Sequence, residues 1–443
     1  MNTGLRKKRI LNSFTHALYL LLFISLIFSF RAISSICIGA ILLAGIVSNR
    51  LALPSLFQKD SRKLFLAGCA LLFLLQVVAL LYTNDMQQGL NNVRIKAGLL
   101  ITPLAICFSF YLNADTRKKL FSHYCLILAV ATLYCLGISF LNYQGANDSL
   151  LFFYHTLVSP LKQHAVYFSL LVIIGLIFLL ESIAKKDFLL TRLFHICLIL
   201  YLSIFLFLLS SKLVIVFYLF YLLFYFIRIL KRNRLNRLAV TGSIILSLTF
   251  VSLVFAIRNP VSERFYEIIK GDIKVITQDR FDKGDYFNGL QFRLLQWKFV
   301  AEILNENNRW WTGVSPGDAQ HLLNKKYISK NMYTGDPERA DRGYLIYNTH
   351  NQFLETLLQN GIIGLGVLLI ICFSLLKMAM QKKSRMASFI VLLLLAWLFT
   401  ESAFETQYGI LIFTFFPLFV CTGKISNAGA FKKANHVKTY SDW

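Results

Sequence analysis

Apolar runs of about 16 to 20 residues recur along this 443-residue chain, and that is the length needed to cross the hydrocarbon of a bilayer as a helix. With 56% hydrophobic residues, the chain is expected to be an all-α polytopic integral membrane protein. Twelve spans are read at 14–30, 32–47, 64–82, 97–112, 120–141, 165–181, 191–209, 213–230, 238–256, 351–376, 386–400 and 409–421. An N-terminal signal peptide is not expected. The first apolar run follows a basic cluster but lacks a small-residue cleavage site, and a second span follows at once.

Charge placement gives the orientation, because short cytoplasmic loops collect Lys and Arg. An even number of spans puts both termini on one side. That side receives RKKR at 6–9, KDSRK at 59–63, RKK at 117–119, KK at 185–186, RILKRNRLNR at 228–237, the KK pair within 377–385 and the basic tail, in all about 27 of the 46 basic residues against about 5 in the short loops opposite. Both termini are therefore expected to be cytoplasmic. The net charge of +24 then follows from this bias and from anionic lipid headgroups, and needs no nucleic acid.

Residues 257–350 interrupt the rhythm of short loops with a polar stretch that the topology places on the outer face. The expected organisation is spans 1–9 in 1–256, a lid in 257–350, spans 10–12 in 351–423 and a basic tail in 424–443. The lid mixes about fourteen Lys and Arg with a similar number of acids. All eight cysteines fall in apolar spans, so no lid disulfide and no CxxC site is expected. Within the lid, GLQFRLLQWKFVAEIL at 289–304 predicts an amphipathic helix with Leu294, Trp297, Ala301 and Leu304 on one face, and Arg293 one turn before Trp297. The segment WWTGVSPGDAQ predicts a turn at Gly313, Pro316 and Gly317; no Gly-Lys-Ser/Thr follows, so it is not a phosphate loop.

The stretch NTHNQFLETLLQNG puts a histidine where the lid meets a span. Thr349 and Gln352 have capping-box spacing, which predicts a helix starting at His350 and an anion-friendly dipole end there. A simple interfacial cap is the other reading of His350.

In order and spacing these pieces resemble the O-antigen ligase and polymerase superfamily: R293LLQW297, W311TGVSPG317, H350N351QFLETLLQNG361IIG364, with HAVYFS from His164 and TESAFETQYG from Thr400. The resemblance covers the whole expected topology of about 12 transmembrane helices, with one large periplasmic loop between the ninth and tenth, and is sharpest over 289–420. It implies a bacterial inner-membrane glycosyltransferase. The donor would be a glycan on an undecaprenyl diphosphate carrier. The acceptor would be a lipid A-core sugar for a ligase, or a growing glycan for a polymerase. The expected leaving group is a diphosphate, suited to Arg293, and the expected base for the acceptor hydroxyl is His350. Where the family shows a further arginine after a serine, this chain has Lys212, which keeps the charge and loses the planar fork. Asn351, His164, Tyr167, Glu401, Arg339 and Arg342 complete the expected binding residues. Glu401 is expected to pair with an arginine or orient a histidine, and Glu405 to be a solvated loop acid. Asp336, Glu338, Arg339, Asp341 and Arg342 also read as a self-paired lid surface. No cofactor and no metal is expected, since the first outer loop, around Arg31, has no acids to hold a cation. A lipid transporter is the rival class, disfavoured by the absence of an internal repeat.

Overall fold

The computed structural model describes residues 3–49, 61–108, 114–187, 191–232, 259–270, 272–336 and 341–421, with isolated positions at 241, 242, 245, 249, 252 and 338. Among these residues there are helices and no strands; the one β-bridge joins Asp336 and Asp341. In chain order the helices longer than ten residues are α1 (Thr3–Ile27), α2 (Arg31–Asn49), α3 (Ser61–Val78), α4 (Met86–Lys96), α5 (Gly98–Phe108), α6 (Ala114–Ala146), α7 (Ala165–Lys185), α8 (Arg192–Leu208) and α9 (Lys212–Arg232). They continue with α10 (Pro260–Lys270), α11 (Gly289–Glu306), α12 (Ala319–Ser329), α13 (Gln352–Lys382), α14 (Arg385–Leu398) and α15 (Gln407–Cys421).

Five described segments are long and apolar enough to cross a bilayer: Ser61–Tyr82, Asp115–Ala146, Ala165–Lys185, Lys212–Leu230 and Gln352–Lys382. Five more apolar helices are shorter, among them Arg192–Leu208 and Gln407–Cys421. The expected ninth span, 238–256, lies outside the described residues except for isolated positions, and so does the tail 424–443.

Burial separates the helices by role. In α7 every residue from Tyr167 to Ser182 is buried, so this helix is the apolar axis of the bundle. In α9 one stripe, Val216, Phe220, Leu223 and Ile227, stays exposed at helical spacing, as a face toward lipid would. With no water in hydrocarbon, each such helix must close its backbone hydrogen bonds internally, which is why these runs are helical.

The lid has a second core of its own, built from Phe281, Phe287, Phe292, Leu295, Phe299, Ile303, Leu323 and Tyr327 and sealed by Leu357 and Leu358 of α13. Helix α11 forms where expected, capped by an Asn288–Gln291 capping box. Its buried face is not the expected one. Phe292, Leu295, Phe299 and Ile303 pack inward, while of the expected face Leu294, Trp297 and Ala301 are half-buried and only Leu304 is buried. Partners on α12 and α13 decide which of two adjacent apolar stripes goes inside.

The lid is fastened to the bundle through a break in α13. Gly361 takes φ +63° inside the helix, a left-handed conformation that favours glycine. The backbone groups around the break pair with the lid: Ile362 N donates to Trp310 O at 2.8 Å, Val314 N to Leu358 O at 2.8 Å and Ser315 N to Gln359 O at 3.2 Å. A Cβ at Gly361 would overlap the Trp311 carbonyl, and one at Gly313 (φ +71°) would overlap Gln359. The turn around Gly317 then docks on the α3–α4 loop. The Asp318 carboxylate accepts from Asn84 N at 3.0 Å, Asp85 N at 3.1 Å and Asn84 Nδ2 at 3.1 Å, and Asn92 Nδ2 donates to Pro316 O at 2.5 Å.

Candidate active site

At the lid end of the bundle, Glu401 gathers the charged side chains. It lies in the loop between α14 and α15, with His350 Nδ1 at 3.4 Å from Oε2 and Arg293 Nη2 at 3.7 Å from Oε1. Burial raises the Glu401 carboxyl. The hydrogen bond and charge of His350, with the charges of Arg293 and His164, outweigh it and hold the group below the ordinary glutamate range. Arg293 also donates to Gly289 O at 3.2 Å and to Thr400 O at 3.1 Å, while its Nε is buried without a hydrogen-bond partner. Its side chain remains 31% exposed. The guanidinium is therefore anchored on one edge and open on another, the arrangement that suits an incoming anion.

The expected capping box at Thr349 does not form. Asn351 is the N-cap: its Oδ1 accepts from Phe353 N at 2.9 Å and Leu354 N at 3.1 Å, and α13 starts at Gln352. Thr349 is drawn elsewhere, since Glu355 Oε2 accepts from its N–H at 3.2 Å and its hydroxyl at 2.8 Å. His350 thus precedes the helix, in the left-handed region at φ +45°. A histidine tolerates this better than most residues, yet it costs about 1–3 kcal/mol and persists only where the surroundings enforce it. Here they do. His350 N donates to Asn348 Oδ1 at 3.1 Å, and Asn351 N to Ser402 Oγ at 3.2 Å. Asn351 itself is buried and uses both ends of its carboxamide, Nδ2 donating to Phe399 O at 3.3 Å.

His164 and Tyr167 come to the same place from the start of α7. The His164 ring lies 4.4 Å from that of His155 and 5.5 Å from that of Tyr167, and Tyr167 meets Trp397 edge-on at 5.1 Å. Burial lowers the His164 imidazole, helped by the charges of His350 and Arg264 and opposed by Glu401. Burial, then His164 and Arg264, push His155 down to about 4, against a pull from Glu401. Ala165 N donates to His155 Nδ1 at 3.3 Å, which fits an unprotonated nitrogen.

Lys212 opens α9 after a tight hairpin in which Ser210 has φ +51°; its Nζ lies 3.6 Å from Glu267 Oε2, within the fields of Arg264 and Arg293. Arg264 sits 3.4 Å over the Tyr154 ring. Helix α10 therefore contributes Arg264 and Glu267, and His155 comes from the short helical turn Tyr154–Val158 before α7. Sequence reading passed over all three, as nothing in their local pattern marks them. Arg342 is exposed, and among the described residues its side chain makes no ion pair with this cluster; Arg339 lies outside the described residues.

Glu405 corrects a second expectation. It is no solvated loop acid but lies 3.1 Å from Lys96 Nζ, with side chains 14% and 3% exposed. Lys96 also donates to Gln359 Oε1 at 2.6 Å, and Gln359 Nε2 donates to Glu355 Oε1 at 2.7 Å. This buried polar chain underlies the His350 loop. The signal was present in the sequence: Lys96 is one of the few basic residues in a short loop on the side poor in them.

Residues 197–369 match the family described as O-antigen ligase. That match supports the O-antigen ligase and polymerase superfamily for this chain. The matched stretch carries Lys212, Arg264, Arg293 and His350, while His164, Glu401 and Lys96 lie outside it. No curated protein matches the chain. The match and the apolar helices together support a multi-pass membrane protein with glycosyltransferase-like activity.

Proposed function

We propose that this chain transfers a glycan from an undecaprenyl diphosphate carrier to an acceptor hydroxyl, as a ligase acting on a lipid A-core sugar. In this reading about twelve spans hold both termini in the cytoplasm of a bacterial cell. The site then opens to the periplasmic face beneath the 257–350 lid. The observation that carries the reading is the Glu401-centred trio, in which one carboxylate orients both His350 and Arg293.

With Nδ1 donating to Glu401, the Nε2 of His350 is left as the acceptor nitrogen. The acceptor hydroxyl oxygen attacks the anomeric carbon while its proton passes to Nε2. The bond from that carbon to the diphosphate oxygen breaks, and its electron pair leaves with the diphosphate. Arg293 and Lys212 meet the added charge, with Arg264 behind them. A single displacement inverts the anomeric configuration. Asn351 serves by fixing the His350 backbone, and Tyr167 and His164 wall the acceptor side. Arg339 and Arg342 are assigned to the outer rim of the donor path. No metal is given a step.

The test is the surface-glycan ladder of the native host carrying His350→Ala, with carrier-linked glycan extracted from the same cells and protein abundance confirmed. Loss of a general base costs about 10²–10⁴ in rate, so chains should accumulate on the carrier while the lipid core stays bare. Single repeats on the core would instead identify a polymerase, and an unchanged ladder would remove His350 from the chemistry. Purified enzyme that lost activity in chelator and regained it with magnesium would overturn the metal-free scheme.

A further inference from the structure

A second cavity lies at the lid end of the bundle, on the far side of the α14–α15 loop from His350. It encloses about 110 Å³ between α2, the α4–α5 segment and the start of α15. Two arginines line it, Arg31 from α2 and Arg94 from α4, together with Ser34, Ser35 and Gln407. Among the described residues no carboxylate lies within ion-pair distance of either arginine. The nearby hydroxyls are partly used: Gln407 Nε2 donates to Ser35 Oγ at 3.1 Å, and Ser35 Oγ donates to Arg31 O at 3.1 Å. The guanidinium groups themselves keep their donors free of internal acids.

Below the arginines the lining turns apolar, through Ile38, Leu411 and Ile101. Ile38 and Leu411 are buried, whereas Ile101 is 41% exposed and marks an open side of the cavity. An anionic head with hydrocarbon attached fits this gradient; a free anion would use only the upper half. The cavity is separated from the His350 cluster by the Tyr408 and Tyr167 rings, 5.8 Å apart, and by the Lys96–Glu405 pair.

We propose that this cavity is a second lipid port, which seats the phosphate head of the lipid acceptor, while Arg293 and Lys212 hold the donor. The proposal rests on the glycan-transfer reading above. A reaction between two amphiphiles needs both to enter sideways from the bilayer, and one port cannot hold two phosphate heads at once. Helix α15, whose first residues Gln407 and Tyr408 line this port, follows directly on the loop that carries Glu401, so a seated lipid lies beside the reacting groups without touching the donor's cations.

The test uses the full-length protein in nanodiscs, as wild type, Arg31→Gln/Arg94→Gln and Ile101→Trp. Retention of phosphatidic acid against phosphatidylcholine is read by native mass spectrometry, with inorganic phosphate as competitor, and steady-state transfer is read with donor and acceptor varied separately. The double variant should lose phosphatidic acid retention at least tenfold and raise acceptor KM about tenfold, with donor KM within twofold. Ile101→Trp, which keeps both arginines, should block the lipid while leaving inorganic phosphate able to bind. Equal retention in all three proteins, or a rise in donor KM alone, overturns the port. Displacement of the lipid by millimolar inorganic phosphate makes it a free-anion site and also overturns the port. Should the wild type show no glycan transfer at all, the functional reading fails, and the retention arm still decides whether the port exists.

Discussion

His350 shows how much of a site depends on its supports. Its left-handed backbone is held by Asn348, by Thr349 through Glu355 and by Asn351 through Ser402, so the ring is aimed before any substrate arrives. Glu401 holds the ring itself. Because the carboxyl sits below the ordinary range, its ion pairs stabilise the fold above the unfolded glutamate value of about 4.3. That contribution is lost as pH falls through the lower folded value. Thermal unfolding in detergent from pH 7 to 3.5 should therefore steepen in the wild type below about pH 4.5. It should flatten in Glu401→Gln, which should also lose most transfer activity. His155 runs the other way. Its lowered value means the fold resists its protonation, so stability is present above the unfolded histidine value and falls as pH drops from about 6.5 toward 4. His155→Gln should make that part of the profile shallower. Arg293→Lys keeps charge but not the fork, and we expect a loss of about 10²–10³ in kcat with folding unchanged by size-exclusion chromatography.

At the scale of elements, the break in α13 does more than bend a helix. Gly361 frees backbone groups that Trp310 and the residues after it satisfy, so the lid is hydrogen-bonded into a transmembrane-length helix. Gly361→Val should cost at least about 1–2 kcal/mol from the backbone conformation alone, with steric overlap added. Limited proteolysis should then cut within 260–350 at protease concentrations that leave the wild type intact. Asp318→Ala removes the acceptor for Asn84 N and Asp85 N. It should cost about 1.5–3 kcal/mol, read as a lowered Tm, because both donors lose hydrogen bonds to a buried, charged acceptor. The helices and their approximate ends were legible because hydrophobic length and 3.6-residue spacing are local properties. The buried face of α11 was not, since Leu294 and Leu295 belong to adjacent stripes and only the packing of α12 and α13 chooses between them.

For the whole molecule, the Glu405–Lys96–Gln359–Glu355 chain links α4, α13 and the α14–α15 loop beneath the site. Removing one partner of a buried pair costs about 3–5 kcal/mol, while replacing both can be neutral. Lys96→Met should therefore lower the Tm sharply, and Lys96→Met/Glu405→Leu should recover most of it; equal losses in both would show the pair to be energetically silent. The sequence by itself determined the membrane class and the helical architecture, and it singled out Arg293 and His350, which the structure brings together on Glu401. Each of these is written in hydrophobic run length, charge bias or motif spacing along the chain. Only the tertiary structure decided that His350 precedes its helix, that Glu405 is buried on Lys96, and that Arg264, Glu267 and His155 join the cluster. Those outcomes depend on residues tens to hundreds of positions apart competing for the same hydrogen bonds and charges, and no local pattern records which partner wins.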